Sequence, residues 1–198
     1  MSQNIRTHIL PLGDFTFDNG ETLPGIELAY ETYGTLNADK SNAILLFHAL
    51  TGSHHAHGFN DSLPEAGDFW QPENYEGWWD RMIGPGKPLD TEKYFIVCIN
   101  FLGSCYGSSG PCSIAPDGEP WGSRFPLVNA NDQARSQIKV LDYFGIDLAI
   151  TAKNDFIVDD PDIYGTGTLV RAFEQATSGA GANTITFSSV VEGQTLDL

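Results

Sequence analysis

Two kinds of hydrophobic run organise this chain. Asn42-Ala43-Ile44-Leu45-Leu46-Phe47-His48 and Tyr94-Phe95-Ile96-Val97-Cys98-Ile99-Asn100 are nearly continuous in apolar residues. Such runs belong to strands buried on both faces, as in parallel sheets covered by helices. Before them, Asp14-Phe15-Thr16-Phe17 and Ile26-Glu27-Leu28-Ala29-Tyr30-Glu31-Thr32-Tyr33 read as a pair of strands. Asp18-Asn19-Gly20 lies between them, and Asn-Gly supplies the positive φ angles of a tight hairpin turn. From Asn131 onward, Ala134, Ile138, Leu141 and Phe144 recur at three- and four-residue steps, which predicts a helix. Asn131 or Asp132 can cap its start and Gly145 can end it.

Residues 52 to 90 show no period and are rich in Gly, Pro, His and Trp. Loops of that length inside a compact domain are usually functional or disordered, and Trp70, Tyr75, Trp78 and Trp79 favour an ordered one. After Leu148 the character changes. An aspartate-rich stretch with Pro161 leads into a predicted short helix over 166–177. Two short alternating strands follow, Thr184-Ile185-Thr186-Phe187 and Thr195-Leu196-Asp197-Leu198. The shift places a boundary between residues 1–148 and 149–198.

Composition narrows the function classes. A formal charge of −16 argues against nucleic acid and anionic membrane as partners, both being polyanions. The longest apolar runs are far too short to span a bilayer. The opening Met1-Ser2-Gln3-Asn4-Ile5-Arg6 has no basic start followed by an apolar core, so a cytoplasmic location is expected. Cys98, Cys105 and Cys112 are an odd set without a close C-x-x-C pair. Reduced thiols are the expectation for them, rather than a disulfide or metal role.

Motifs then become specific. Ala29-Tyr30-Glu31-Thr32-Tyr33-Gly34-Thr35-Leu36-Asn37 is followed by His48-Ala49-Leu50-Thr51-Gly52-Ser53-His54 and Gly77-Trp78-Trp79-Asp80. Ile83-Gly84-Pro85-Gly86-Lys87-Pro88-Leu89-Asp90-Thr91 and Asn100-Phe101-Leu102-Gly103-Ser104-Cys105-Tyr106-Gly107-Ser108-Ser109-Gly110-Pro111 complete the series. In this order and spacing, residues 10 to 148 resemble the N-terminal part of the homoserine O-acetyltransferases, a branch of the α/β-hydrolases. The resemblance implies a partial α/β-hydrolase fold: a mostly parallel sheet with N-terminal antiparallel strands, here followed by a short α+β tail. It implies acetyl transfer from acetyl-CoA, as co-substrate and not a bound cofactor, to the hydroxyl of homoserine in methionine synthesis. Sister enzymes use succinyl-CoA. A homodimer is compatible with the family but is not readable from these residues.

In that family a serine is acylated, a histidine activates the accepting hydroxyl and an aspartate orients the histidine, which divides a difficult transfer into two easier steps. The family's oxyanion-hole loop matches His48 to Gly52, so Leu50, Thr51 and Gly52 are the candidate site residues, with a backbone N–H of Leu50 or Thr51 facing the developing charge. An ordinary strand-to-loop turn is the alternative. The nucleophile belongs next, on a G-x-S-x-G elbow between strand and helix. The sequence there reads Asp147-Leu148-Ala149-Ile150-Thr151-Ala152-Lys153-Asn154, and no serine in the 198 residues has glycine two places away on both sides. The expected set of catalytic residues is therefore none.

Gly103-Ser104-Cys105-Tyr106-Gly107 has the elbow's spacing with cysteine in the nucleophile's place, but Ser108-Ser109-Gly110-Pro111 opens no helix. His48, His54, His55 and His57 are dense enough to suggest a zinc or nickel site, yet they lie on a loop of a family whose chemistry uses no metal, and none is expected. The tail is similar to the N-terminal cap of bacterial right-handed parallel β-helix proteins, through Gly165-Thr166-Gly167-Thr168-Leu169 and Gly181-Ala182-Asn183-Thr184-Ile185. Two functional readings follow: an acyltransferase-family chain that is catalytically incomplete as it stands, or a non-catalytic truncated or chimeric product or interaction module led by its tail. A sheet without its later strands is expected to leave 43–47 and 94–99 poorly covered and the chain poorly soluble or partly molten.

Overall fold

A computed structural model describes residues 5–147, together with strands at 150–153 and 186–187. β1 (His8–Thr16) and β2 (Thr22–Tyr33) form an antiparallel hairpin. β3 (Ala43–Phe47) and β4 (Phe95–Ile99) pair in parallel. The helix α1 (Ala130–Phe144) precedes β5 (Ile150–Lys153), and β6 is Thr186–Phe187. One sheet runs β1-β2-β4-β3-β5-β6, antiparallel across β1, β2 and β4 and parallel from β4 to β6. The sheet thus continues through residues on both sides of 149. The predicted helix over 166–177 and the strand at 195–198 lie outside the described residues, as does the first half of the strand predicted at 184–187.

All ten residues of β3 and β4 are buried. Their alternation divides them between two layers. Leu45, Phe47, Phe95, Val97 and Ile99 pack with Leu28 of β2 and with Ala134, Val140 and Leu141 of α1. Ile44, Leu46, Ile96 and Cys98 pack on the opposite face against Ala56 and Ile83, with Trp78 and Trp79 at the margin. These two strands are therefore well covered, contrary to the expectation from missing later strands. The reason is twofold: β5 pairs with the free side of β3, and the long loop takes the place of a covering helix.

That loop has its own order. Two 3-10 turns, Pro64–Phe69 and Pro72–Asn74, interrupt it. Trp78 donates its indole N–H to Ser53 O at 2.8 Å, and Trp70 donates to Asn60 O at 3.0 Å. Gly77 lets two loop segments touch: a Cβ there would stand 2.3 Å from the His57 Cα.

Two local expectations need correction. The β1–β2 turn is not of the tight Asn-Gly kind, because the positive φ belongs to Gly20 (87°) and not to Asn19. Gly20 N–H donates to Phe17 O and Phe17 N–H to Glu21 O, a three-residue loop ending in a left-handed glycine. The cap of α1 is Asn129, ahead of both predicted positions, Asn131 and Asp132. Its side chain accepts the Asp132 N–H at 2.9 Å while Asp132 accepts the Asn129 N–H at 3.1 Å, a reciprocal box that satisfies two otherwise orphaned donors. Asp132 also accepts from Asp18 N–H and Arg135, so the capping carboxylate ties the helix to the hairpin loop. Gly145, at φ 64°, ends the helix as expected.

α1 also buries Gln137 completely, with neither amide atom hydrogen-bonded among the described residues. A buried amide without partners costs on the order of 1–3 kcal/mol. Gln137→Met keeps the volume and removes the unpaired groups, so it is expected to stabilise the chain by about 1 kcal/mol. Equilibrium urea unfolding measures this, and a destabilised variant would show that the amide has a partner.

Candidate functional site

The loop that leaves β3 is short and fixed at both ends. His48 is buried, and its ring lies 4.2 Å from that of Phe101. Phe101 N–H donates to His48 Nε2 at 3.3 Å, which leaves Nδ1 to donate to Ala49 O at 2.8 Å. Those partners define a neutral imidazole. Burial accordingly drives its pKa down to about 4. His48 thereby joins the carboxyl end of β3 to that of β4.

Leu50 and Thr51 form the tip of a turn closed by Gly52 N–H donating to Ala49 O at 2.8 Å. Gly52's N–H is thus taken up within the turn, whereas the N–H groups of Leu50 and Thr51 donate to no protein acceptor among the described residues. Thr51 and Gly52 line a pocket of about 220 Å³ with Ser53, His55, Glu73 and Trp78. The Leu50 side chain points away from protein and is 93% exposed. Two unpaired donors beside a pocket can stabilise an oxygen that gains negative charge.

Behind this turn is a buried polar cluster that sequence reasoning did not single out. Glu31 of β2 is fully buried. Its Oε1 accepts from the Thr7 hydroxyl at 2.8 Å and from Asn60 Nδ2 at 3.2 Å. Its Oε2 accepts from the Tyr33 hydroxyl at 2.8 Å and faces His55 Nδ1 at 2.8 Å. His55 Nε2 faces Tyr75 O at 3.0 Å, so both ring nitrogens meet acceptors and the ring is the charged imidazolium. Burial alone lowers the His55 pKa, but the hydrogen bond and charge of Glu31 outweigh it and the net shift is upward. For Glu31, burial raises the pKa, and the hydrogen bond and charge of His55, with the hydrogen bond from Tyr33, carry it below the usual carboxylate range. His54, against Thr7 Oγ1 at 2.8 Å, is fully buried and stays neutral, with its pKa lowered by burial to about 4. Tyr33, itself bonded to Glu31, accepts the N–H of Ala56 at 2.8 Å. The signal for this cluster was present in the sequence: an acid inside the strand Ala29 to Tyr33, and paired histidines 23 and 24 positions later.

The histidines are therefore structural. His48, His54 and His55 aim at different protein partners, and His57 pairs through Nδ1 with Asp80 at 2.7 Å. Among the described residues no three His, Cys, Asp or Glu side chains are gathered as a metal site. Cys98, Cys105 and Cys112 are free thiols. Burial raises the Cys105 pKa, the opposite of what a thiolate nucleophile needs, and only turns follow it, with no α-helix before α1. β5 lies beside β3, immediately after α1, as the strand of a nucleophile elbow would. The residues immediately after Lys153 lie outside the described ones, and the sequence that follows, Asn154-Asp155-Phe156-Ile157, offers no serine.

A parallel sheet entered through antiparallel strands, with a donor-bearing turn at the end of a central strand, defines a partial α/β-hydrolase fold. The solved structures agree. The chain resembles a homoserine O-acetyltransferase from Bacillus anthracis with TM-score 0.60 and 33% identity, over 75% of this chain and 40% of that one. It resembles a solved esterase with TM-score 0.59 and 31% identity, over 75% and 41% respectively. Among curated relatives, a homoserine O-acetyltransferase of Deferribacter desulfuricans is 54% identical over 135 residues, 68% of this chain and 33% of the relative. A homoserine O-succinyltransferase of Bordetella pertussis is 51% identical over 130 residues, 65% and 29% respectively. No family model matches the chain. Its N-terminal two thirds is homologous to the corresponding part of the homoserine O-acyltransferases, and the chain spans about one third of the length of these curated relatives.

The titrating groups set a pH dependence. His48 and His54 have folded pKa values of about 4 against 6.5 unfolded, so between those limits the unfolded chain binds protons that the folded chain does not. Stability is complete above 6.5 and falls as the pH drops toward 4, by roughly 3 kcal/mol per histidine at most. Glu31, with its folded pKa depressed, withdraws its own contribution at still lower pH. His55 acts in the opposite sense: its contribution is complete below 6.5 and is lost as the pH rises through its elevated folded value. Urea midpoints are expected to fall steeply from pH 6.5 to 4.5; a flat profile would contradict the buried neutral assignment. Glu31→Gln leaves the His55 imidazolium without its counter-charge and is expected to cost about 3 kcal/mol or more at pH 7, read from the same unfolding curves.

Proposed function

We propose that this chain supplies the oxyanion-loop half of a homoserine O-acyltransferase and performs no transfer by itself. In the complete reaction a nucleophile would attack the thioester carbonyl of acetyl-CoA, expel the CoA thiol and pass the acetyl group to the homoserine hydroxyl. The negative charge forms on the carbonyl oxygen, and the Leu50 and Thr51 N–H groups would donate hydrogen bonds to it. The observation that carries the reading is this turn: two unpaired donors at the end of a buried central strand, beside a pocket, in a fold shared with acyl-transferring relatives.

Acetyl-CoA is the proposed donor, in line with the Deferribacter relative's name. Relatives named as succinyltransferases at 50% and 51% identity make succinyl-CoA the competing donor. Neither is retained as a bound cofactor. The chemistry needs a nucleophile held at a sharp bend, and the 198 residues contain no G-x-S-x-G.

Purified chain incubated with acetyl-CoA and homoserine is expected to release no CoA above background, followed with a thiol reagent, and to carry no acetyl adduct by intact mass. Formation of O-acetylhomoserine, or a covalent acetyl group on any side chain, would overturn the inactive reading. The same two readouts with succinyl-CoA distinguish the donors if either is positive.

A further inference from the structure

We propose that the crevice between the β1–β2 hairpin and the loop over 107–121 is a binding site for a small organic ammonium ion with a short hydrocarbon body. It shares no lining residue with the pocket beside Leu50 to Gly52, and the inference goes beyond the acyltransferase reading without resting on it.

The cavity is formed before any ligand arrives. It measures about 310 Å³, at the lower end of the ~300–1,000 Å³ typical of small-molecule sites. Pro24 and Gly25 have no partner in the β1 register, and Gly25 takes φ 69°, so β2 bulges there and forms one wall. Another wall is the 113–121 loop, closed by Ala115 N–H donating to Glu119 O at 2.8 Å and Trp121 N–H to Ser113 O at 2.9 Å. Ser109 ties hairpin to loop: its N–H donates to Glu27 O at 2.8 Å, and its hydroxyl oxygen accepts from Glu27 N–H at 2.8 Å. Walls already fixed in this way need little ordering when a ligand binds.

Charge selects a cation. Glu27 is the one ionisable side chain in the lining, and its carboxylate forms no ion pair among the described residues. Asp14, which accepts the Gly25 N–H at 3.3 Å, and Glu119 on the loop add negative charge beside the crevice. The Arg124 guanidinium is not a lining group and is already paired with Asp117. An anion is therefore repelled here and a cation drawn in, an effect that the formal charge of −16 reinforces.

The rest of the lining selects a hydrocarbon body. Leu23 and Ile26 are buried beneath the crevice, while Ile114 lines it with 64% of its surface exposed, an apolar side chain that a bound alkyl group would cover. Trp121 adds an indole, whose ring attracts cations; the Arg124 guanidinium already rests over it, 5.8 Å from the centroid. A carboxylate, an indole and an exposed aliphatic side chain around one small cavity together match an alkylammonium ion.

The test is calorimetric titration of the 198-residue chain at pH 7 and low salt with butylammonium. 1-Butanol, which has the same hydrocarbon chain without the charge, is titrated in parallel. One-to-one binding of butylammonium with a dissociation constant on the order of 1 mM is expected, and butanol is expected to bind at least about fivefold more weakly. Glu27→Gln is expected to weaken butylammonium about fivefold and Ile114→Ser about threefold. Both side chains are exposed, so the thermal melt of each variant should match the parent's. No saturable uptake, equal binding of butanol, or uptake indifferent to both variants overturns the site. A lysine tripeptide with both ends blocked, bound at least about tenfold more tightly than butylammonium, overturns the free amine as the ligand and assigns the crevice to a lysine of a partner protein.

Discussion

A carboxylate removed from water must be surrounded by donors, and Glu31 imposes that requirement on everything around it. Sitting in β2 with no exposure, it draws in Thr7 from the N-terminal segment, Tyr33 from its own strand, and His55 and Asn60 from the long loop. The cost of burying an unpaired charge is several kcal/mol, so the loop cannot leave this arrangement piecemeal. A loop whose only regular structure is two 3-10 turns is thereby given one conformation. Because that loop covers one face of β3 and β4, the same ion pair also closes the core.

The consequence reaches the candidate site through covalent continuity. Leu50 to Gly52 hangs between two fixed points. One is His48, held between Ala49 O and Phe101 N–H; the other is His54 and His55, held at Glu31. Donors that are to face a developing charge are useful only if they need not reorganise when it appears. The turn therefore owes its fixed position less to its own sequence than to the polar anchors on each side. The division of labour among the imidazoles follows from their partners. His48 and His54 are neutral because burial outweighs what opposes it, for His54 even with the Glu31 carboxylate 3.8 Å away, and His55 is charged because its 2.8 Å hydrogen bond to Glu31 and the charge of that carboxylate outweigh its burial.

The chemistry of the neighbouring position is decided by what β5 leads into. Parallel pairing sets Ile150–Lys153 against β3, so the strand that would bear a nucleophile is present in the sheet, while the residues that would form the strained turn are absent from the sequence. Sheet pairing and catalytic competence are separable: backbone hydrogen bonding and apolar alternation suffice for the first, whereas the second needs glycines that permit the bend and a serine at its apex.

Much of the architecture could be read directly from the chain. The apolar runs at 43–47 and 95–99 dictated two interior strands, since such residues are stable only with both faces covered, and the three- and four-residue recurrence ending at Gly145 dictated α1. The ordered motifs identified the homologous family, and the missing serine elbow was a matter of composition alone. Other features depended on distant partners. Asn129 outcompeted Asn131 as the cap because Asp132, bonded back to the hairpin at Asp18, could complete the box. The hairpin turn admitted positive φ at Gly20 alone. An acid inside an apolar strand marked Glu31 as unusual but not its partners, because what a buried carboxylate does is set by the donors that folding brings to it from 24 and 29 residues away. Local pattern records which residues must avoid water; only the assembled fold decides which polar groups then have to meet.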